Sequence, residues 1–253
     1  GEILFNEQNL ISCKEKQMRK IRGNKIALIP QDPMTSLNPL YTIGNQLVES
    51  ICAHSNVSEH QALRKAKEVM DLVKIPDVEK KLKFYPHEFS GGMKQRIIIA
   101  MALATSAELI IADEPTTALD VTIQKQIMDL LDELRKEFNT TVLLISHDLA
   151  LVSNYADYIS VMYAGHIAEE AQAEEFFKNP MHPYSCALLN SLPTRNPALA
   201  LKTIEGAPPS IQEEIVGCTF HPRCEFCKEN ICTTQNPILK EKKPNHFSAC
   251  LIL

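Results

Sequence analysis

Residues 89–96 read FSGGMKQR, and the apolar run IIIAMAL follows at residues 97–103. Two adjacent glycines after a serine, ahead of a run that contains no helix breaker, predict a glycine-rich turn that opens a buried helix. Glycine lets the backbone lie close to a ligand, and the first N–H groups of a helix are unpaired and carry partial positive charge. The stretch therefore predicts a place where backbone N–H groups meet a phosphate.

The next apolar segment ends in two carboxylates. Residues 109–112 read LIIA, and Asp113 and Glu114 come directly after them. A short apolar run predicts a buried strand, and adjacent residues on a strand point to opposite faces, so the two acids can reach different targets. Turn, helix, strand and acid pair in this order resemble the signature and Walker B motifs of ABC-type ATPases. The resemblance implies that Asp113 is a Mg²⁺ ligand and that Glu114 is the general base that polarises the attacking water.

The composition limits the classes of partner. The formal net charge of −5 predicts no strong attraction to nucleic acid. No apolar run approaches the roughly 20 residues that span a bilayer, and the chain does not open with the basic and apolar segments of a signal peptide. We therefore expect a cytosolic protein whose eight cysteines stay reduced or bind metal. The opening residues, GEILFN, read as a turn into a strand already under way, so we expect an N-terminus cut inside a domain.

A glutamine follows an earlier predicted strand. Residues 26–29 read IALI, which predicts a short buried strand, and Gln31 lies just beyond its end between two prolines. In ABC ATPases this position is the Q-loop, and the resemblance implies that Gln31 contacts Mg²⁺ and the attacking water. Residues 32–39, DPMTSLNP, resemble a stretch that is typical of the peptide-importer branch of the family.

Residues 40–88 predict a helical region. Ser58 and Gln61 form a capping-box pattern, and apolar residues then recur at helical spacing. By itself this pattern predicts an insertion with a small core of its own. The resemblance implies the helical subdomain, at about residues 33–105, whose surface grips a short cytoplasmic helix of the membrane-spanning partner.

The signature motif implies a site shared between two subunits. Through the resemblance, Ser90 offers its hydroxyl, and Gly91 and Gly92 offer N–H groups, to the γ-phosphate of a nucleotide held by the opposite subunit. Phe89 and Met93 stand where most members of the family have leucine and glutamine, and methionine there is usual in the peptide-importer branch. The resemblance therefore implies a dimer with a second ABC ATPase subunit, homologous or identical.

Two further motifs follow the acid pair. Residues 116–120, TTALD, match the D-loop, in which Asp120 crosses the dimer interface, and Asp120 also predicts the N-cap of a long amphipathic helix. Residues 141–146 predict a buried strand with His147 at its end. A single histidine is more often structural than catalytic, but its neighbours match the H-loop, which implies that His147 bridges the γ-phosphate and Glu114.

The remainder predicts a separate C-terminal part. Residues 159–169 predict a hairpin with glycine in its turn, residues 170–192 predict helices, and a proline-rich link at 193–209 precedes the tail. We assign residues 1–170 to a nucleotide-binding domain. Residues 171–253 are assigned to an extension that resembles the one found in peptide-importer ATPases.

The Cys-rich tail, residues 216–253, contains five cysteines in the frame C-x5-C-x2-C-x4-C-x17-C, with His221 and His246 nearby. An iron–sulfur cluster fits four thiolates, a structural zinc fits four thiolates or a mixed set with imidazole, and unligated thiols are the third interpretation. In the extension of peptide-importer ATPases, four cysteines of a similar frame hold a [4Fe–4S] cluster. The matching positions are Cys218, Cys224, Cys232 and Cys250, and the extra Cys227 could displace one of them.

The phosphate-cradling loop Gly-x-x-x-x-Gly-Lys-Ser/Thr is absent from the sequence. In the family it precedes the region where this chain starts. The resemblance thus predicts an α/β, P-loop NTPase-like (RecA-like) core that is N-terminally incomplete, with a helical subdomain and a small Cys-rich extension, acting on ATP with Mg²⁺. Alone, such a chain is expected to be inactive.

Two functions fit these observations. The first is the ATP-hydrolysing subunit of an importer for oligopeptides or dipeptides, peripheral at the cytoplasmic face of the membrane. It would act with transmembrane permease subunits and, indirectly, with an extracytoplasmic peptide-binding protein. The second is a non-catalytic or truncated partner that completes a neighbour's ATP site and docks through a metal-bound tail. The cargo (oligopeptide, dipeptide, nickel or glutathione) stays open, because other subunits determine it.

Overall fold

The structure, a computed structural model, describes residues 1–117, 119–192, 203–210 and 214–253. They form two compact units, Gly1–His147 and Asp148–Leu253. The division between residues 170 and 171 stays a prediction. Most of the predicted link, at residues 193–202, lies outside the described residues, as does position 118 of the D-loop stretch.

The first unit combines a small hairpin, a parallel sheet and a set of helices. Its strands are β1 (Leu4–Phe5), β2 (Gln8–Asn9), β3 (Ile26–Ile29), β4 (Leu109–Asp113) and β5 (Thr141–Ile145). Its helices are α1 (Glu15–Ile21), α2 (Pro33–Ser36), α3 (Ile43–His54), α4 (Glu59–Leu72), α5 (Val78–Lys81), α6 (Gly91–Ala104) and α7 (Val121–Phe138).

The parallel sheet of this unit has the order β3-β4-β5. Ile29 pairs with Ala112, and Asp113 pairs with Ile145, so the carboxyl ends of the three strands meet at one edge. One face of the sheet, which includes Ala27 and Ile110, is buried. The opposite face is apolar but open, since Leu28, Leu143 and Ile145 are 59%, 52% and 46% exposed.

Helix α6 confirms the predicted buried helix. Ser90 is its N-cap and accepts a hydrogen bond from the Met93 N–H, and residues 97–100 are all buried. A helix that is apolar all round must be covered on every side, and α6 contacts α2, α3, α4, α7 and β3. It therefore forms the centre of the first unit.

The helical region also forms as predicted. Ser58 caps α4 and accepts from the Gln61 N–H, while Gln61 accepts from the Ser58 N–H, which is a complete capping box. Helices α3, α4 and α6 pack together around fully buried residues that include Leu47 and Met70. This packing gives the region a core of its own.

The second unit contains one antiparallel sheet with helices against it. Its strands are β6 (Tyr158–Tyr163), β7 (His166–Gln172), β8 (Lys240–Lys243) and β9 (His246–Ser248), in the spatial order β6-β7-β9-β8. Its helices are α8 (Leu149–Tyr155), α9 (Ala173–Lys178), α10 (Pro183–Asn190) and α11 (Glu229–Cys232). The predicted hairpin is confirmed by β6 and β7, with Ala164 and Gly165 both at positive φ in the turn.

Strands β8 and β9 come from the tail and extend this sheet, because β9 pairs with β7. The tail is also attached through side chains. Phe220 packs against Tyr163 and Tyr184, with ring centroids 5.2 and 5.3 Å apart. Arg223 donates to the Tyr163 hydroxyl and to the carbonyls of residues 204 and 205. The tail is therefore part of the second unit and not an appendage to it.

No helix in the described ranges has the length and apolar character needed to cross a bilayer.

One glycine of the tail generates a stability prediction. Gly217 has φ +83°, and a Cβ there would collide with the Cys232 carbonyl oxygen and lie 2.7 Å from the Thr233 carbonyl carbon. Gly165 has a similar φ of +79°, yet a Cβ there meets open space. We expect Gly165→Ala to cost about 1–2 kcal/mol for the left-handed backbone. Gly217→Ala should cost about 1–3 kcal/mol more, because the neighbouring backbone must also move.

Urea denaturation of the two variants measures this difference. Because both alanines carry the same backbone cost, Gly165→Ala is the matched control for the steric collision. Equal midpoints for the two variants would contradict the close packing described around Gly217.

Candidate functional site

Glu114 is the centre of a polar cluster at the carboxyl edge of the parallel sheet. The Gln31 amide Nε2 donates to Glu114 Oε2 at 2.9 Å, and the Thr117 hydroxyl donates to the same oxygen at 2.7 Å. Nδ1 of His147 lies 2.9 Å from Glu114 Oε1. The structure thus brings together Gln31, Glu114 and His147, three residues that the sequence singled out separately.

The backbone at Glu114 has an unusual conformation. Its φ is +44°, which is uncommon for a residue with a side chain and typical of functional sites when it occurs. The Glu114 N–H still donates to the Ile145 carbonyl at 2.9 Å, so the residue stays tied to β5 after β4 has ended. The alternation of a strand therefore stops at Asp113, and the direction of the Glu114 side chain is set by a left-handed turn.

The surroundings of Glu114 favour its ionised form. Hydrogen bonds from His147 and Thr117, the charge of His147 and a weaker hydrogen bond from Gln31 lower the pKa of the Glu114 carboxyl, and partial desolvation opposes them. The Glu114 side chain is 23% exposed and that of His147 is 75% exposed. The result is a carboxylate that is held in place, is negatively charged and remains open to solvent.

Asp113 occupies the last position of β4. It pairs with Ile145, so its side chain belongs to the open face of the sheet. A carboxylate at this edge next to a glutamine amide oxygen supplies the ligand type that Mg²⁺ prefers. The side chains of Asp113 and Gln31 are therefore suited in chemistry to the ion that the resemblance implies.

The remaining predicted nucleotide contacts lie at the starts of two helices. Ser90 caps α6, and Asp120 caps α7 by accepting from the Ile123 N–H at 3.0 Å. A Cβ on Gly92 would lie 2.7 Å from Cγ2 of Ile123, whereas one on Gly91 would lie 3.6 Å from the nearest atom. Gly92 therefore lets α6 approach α7 closely, which is a structural reason for glycine that the sequence did not reveal.

Thr117 is the site residue that the sequence analysis missed. Its hydroxyl binds Glu114 directly, and its N–H donates to the Glu114 carbonyl at 3.1 Å. The sequence contained one indication of this contact. A hydroxyl residue lies three positions after an acid at a strand end, and a single turn can bring two such side chains into hydrogen-bond contact. That signal is weak, because threonines are common in turns.

The four cysteines assigned to a metal group converge on one small cavity of about 10 Å³ in the second unit. Its lining includes Cys218, Cys224, Cys232 and Cys250 but not Cys227. Burial raises the pKa of the Cys218 thiol and raises that of Cys224 to about 11, and neighbouring thiols add to both shifts. Without a bound cation the thiols of Cys218 and Cys224 are therefore neutral at pH 7.

The four cysteines of this cavity are suitable ligands for a metal or an iron–sulfur cluster, but the cavity is too small to hold either in this structure. About 10 Å³ holds roughly one water. No three His, Cys, Asp or Glu side chains in the described part of the chain are arranged as metal ligands. A metal or cluster would require the four thiols to move apart or reorient, so metal in the tail stays a prediction.

Of the two histidines near the cysteine frame, His221 lines the cysteine cavity and His246 does not. Nδ1 of His221 lies 2.9 Å from the Cys218 carbonyl oxygen. His246 is completely buried, with Nε2 2.7 Å from Glu169 Oε1. These contacts remove His246 from a ligand set, whereas His221, whose Nε2 is not used in this contact, stays compatible with a mixed thiolate and imidazole set.

Comparison with known families gives two matches along the chain. The ABC transporter family matches residues 1–117. The family described as the oligopeptide/dipeptide transporter, C-terminal region, matches residues 168–232.

Similar proteins and solved structures agree with these matches. A probable peptide ABC transporter ATP-binding protein, y4tR of Sinorhizobium fredii, is 50% identical over 252 residues, which cover 99% of this chain and 75% of that protein. The oligopeptide transport ATP-binding protein OppD of Escherichia coli is 46% identical over 251 residues, covering 99% and 74%. The dimeric ATP-binding cassette MJ0796 bound to ADP and Pi superposes with a TM-score of 0.61 at 27% identity, over 68% of this chain and 73% of that one.

These matches confirm the predicted ATPase-cassette fold and the predicted resemblance. The chain belongs to the ATP-binding proteins of ABC transporters, within the oligopeptide/dipeptide transporter family.

Proposed function

We propose that this chain is the ATP-binding and ATP-hydrolysing subunit of an importer for oligopeptides or dipeptides. The observation that carries the proposal is the ionised Glu114 held between Gln31 and His147. Phosphoryl transfer to water needs mainly positioning and charge neutralisation, and this cluster supplies both with few residues. Relatives named for oligopeptide and dipeptide transport support the cargo class.

In this proposal Glu114 is the general base. A carboxylate kept ionised and partly exposed can accept a proton from a water placed beside it. Gln31 donates from Nε2 to Glu114, which leaves its amide oxygen as the atom type that can ligate Mg²⁺ together with Asp113. Mg²⁺ at these residues would neutralise charge on the phosphates.

His147 orients the base and extends the cluster towards the nucleotide. Only Nδ1 of its ring faces Glu114, so Nε2 remains for a second contact. A neutral ring that donates from Nδ1 has only an acceptor at Nε2. Bridging Glu114 and a phosphate oxygen therefore requires the imidazolium form, which has two N–H donors.

We further propose that the nucleotide site is completed by a second subunit. Ser90, Gly91 and Gly92 form the start of α6, whereas Glu114 and its partners lie at the carboxyl edge of the sheet, so one chain presents two separate sets of nucleotide contacts. The helix start would meet the phosphates of a nucleotide held by the partner, and Asp120 would lie at the interface. The MJ0796 cassette, described as dimeric with ADP and Pi, supports this arrangement.

The proposal places the subunit peripherally at the cytoplasmic face of the membrane. It would drive transmembrane permease subunits through its helical region and act only indirectly with an extracytoplasmic peptide-binding protein. A second candidate is a non-catalytic partner that completes a neighbour's site. The Ser90 motif at the start of α6, which would contact a nucleotide held by the neighbour, is the feature that would serve this candidate.

For the tail we propose a thiolate-bound metal group, an iron–sulfur cluster or alternatively zinc. Its support is the convergence of Cys218, Cys224, Cys232 and Cys250 on one cavity. The bound group would supply the positive charge that four neighbouring thiolates need, because thiols lose their protons when they bind a metal.

In the assembled transporter, Glu114→Gln should lower ATP hydrolysis by about 100-fold or more, because it removes the base. Nucleotide should remain bound and the dimer should persist, since the shape of the side chain is kept. Phosphate release and size-exclusion chromatography measure the two effects. Glu108→Gln is the matched control, because Glu108 is an exposed acid paired with Lys25 at the start of β4. Hydrolysis within a few-fold of wild type would remove Glu114 as the base.

Thr117→Val should raise the pKa of Glu114 towards its ordinary value, because one donor to the carboxylate is lost. A lowered pKa stabilises the fold above the pKa of the unfolded chain, and this contribution disappears as the pH falls through the folded pKa. In the valine variant, whose Glu114 has a higher pKa, this stabilising contribution should therefore be lost at a higher pH than in wild type. Carboxyl carbon NMR of the chain measures this pKa. Thr117→Ser, which keeps the hydroxyl, should retain the low value, and an unchanged pKa in the valine variant would contradict the contact.

We expect the Cys224→Ser variant to lose the metal of the tail and the Cys227→Ser variant to retain it. Of these two cysteines, Cys224 lines the cavity and Cys227 does not. Iron, sulfide and zinc analysis of protein purified without oxygen measures the difference, and a visible charge-transfer band separates a cluster from zinc. Loss of metal in the Cys227 variant alone would make Cys227 the ligand. Wild-type protein without metal would overturn the proposal for the tail.

A further inference from the structure

The second unit contains a carboxylate and an imidazole that are both completely buried. Glu169 lies on β7 and His246 on β9, and neither side chain has any exposed surface. His246 Nε2 is 2.7 Å from Glu169 Oε1, while its Nδ1 is 3.9 Å from Oε1 of Glu175. Charged side chains are almost never fully buried unless they are paired, so this pair needs an explanation.

Glu169 also holds the start of α10. Its Oε1 accepts from the Met181 N–H at 2.7 Å, and its Oε2 accepts from the His182 N–H at 2.8 Å. These two N–H groups lie just before the first turn of the helix. One carboxylate therefore joins three segments, namely β7, the tail strand β9 and the start of α10.

His182 adds a second connection between α10 and the tail. It is the N-cap of α10, since its Nδ1 accepts from the Tyr184 N–H at 3.1 Å. Burial lowers the pKa of His182 to about 4, so the ring is neutral, and it also hydrogen-bonds the backbone of Ala249. The Ala249 N–H in turn donates to the Ala168 carbonyl at 2.8 Å. Residues 246–249 are thus fixed on both sides.

Cys250 follows this fixed stretch directly. It lines the cysteine cavity together with His182 and Pro183, which belong to the start of α10. The two segments that Glu169 joins, the tail strand and the start of α10, are therefore two walls of that cavity. We propose that Glu169 is the positioning residue that sets the register of the tail and so places Cys250 among the other cysteines.

A buried ion pair is weak support for stability, because well-packed apolar residues often serve as well. The same pair can nevertheless determine which register β9 adopts against β7. Slipping β9 by one residue would move His246 and Ser248 off the buried face and replace them with Phe247. It would also leave the charge of Glu169 without its partner and displace Cys250 by roughly 3.3 Å. The pair therefore discriminates against the slipped register, because the slip would leave a buried charge unpaired in addition to exchanging the two faces of the strand.

The purpose of this positioning rests on the thiolate site proposed above, but the positioning can be tested without metal. We expect Glu169→Gln in the reduced, metal-free chain to increase the alkylation rate of Cys250 by about 10-fold or more, measured for each cysteine by mass spectrometry with N-ethylmaleimide. A ten-fold change corresponds to about 1.4 kcal/mol. The Ala249 amide should exchange faster by a similar factor. Cys13, in the first unit, is the internal reference and should not change.

Glu170→Gln is the matched control. Glu170 is the next residue of β7, lies on the other face and bonds the Ser160 hydroxyl at 2.8 Å, so its variant should label like wild type. His246→Leu is the second test variant. Leucine has no hydrogen-bond donor, so this variant removes the contact between the tail and Glu169. It leaves the two N–H groups of residues 181 and 182 on Glu169, and it should release Cys250 even if Glu169→Gln does not fold.

Faster labelling of Cys250 in His246→Leu, with an unchanged far-UV circular dichroism spectrum, supports the inference. Unchanged Cys250 labelling in both variants would overturn it, and so would loss of helical signal in both, because Glu169 would then serve the fold in general. The metal content of wild-type protein is a separate measurement. Its absence would overturn the proposed thiolate group without affecting the labelling result.

Discussion

Parallel pairing of β3, β4 and β5 brings residues that are far apart in the sequence to one edge of a sheet. Gln31 and Glu114 are 83 positions apart, and Glu114 and His147 are 33 apart, yet each pair is in hydrogen-bond contact. The strands are only four or five residues long, so their register leaves little freedom for where each loop begins. The buried helix α6 packs against this sheet through β3. Any change that shifts one strand would separate Glu114 from Gln31 and His147, because each of the three residues lies within two positions of the end of its own strand.

The sequence was sufficient where local chemistry determines the outcome. Strand ends could be predicted from short apolar runs, and the caps at Ser58, Ser90 and Asp120 follow from side chains that bond their own helix starts. It was insufficient where the outcome depends on distant segments. The left-handed turn at Glu114 has no residue signal, since glycine or asparagine would normally occupy it. The tail strands β8 and β9 show no apolar alternation strong enough to predict that they join β7.

The two glycines of the signature are not equivalent. Ile123 of α7 lies so close to Gly92 that an added Cβ would be 2.7 Å from its Cγ2, so a side chain there would force Ile123 or α6 to shift. Around Gly91 an added Cβ would make only an ordinary contact at 3.6 Å. Packing therefore explains the second glycine but not the first. The open backbone that Gly91 leaves at the start of α6 is compatible with the phosphate contact proposed for it.

In each unit one carboxylate accepts hydrogen bonds from several segments of the chain. The two carboxylates differ in how far their side chains are exposed to solvent. Glu114 accepts from Gln31, Thr117 and His147 but keeps 23% of its side chain in contact with solvent, beside a histidine that is 75% exposed. Glu169 accepts three comparable hydrogen bonds with no exposure at all. A base must exchange a proton with a water and release its partners during a reaction, so it has to remain open. A residue that fixes the register of a strand must do neither, and burial makes every alternative partner costly. A similar set of contacts thus suits the base proposed for the first unit and the positioning residue proposed for the second.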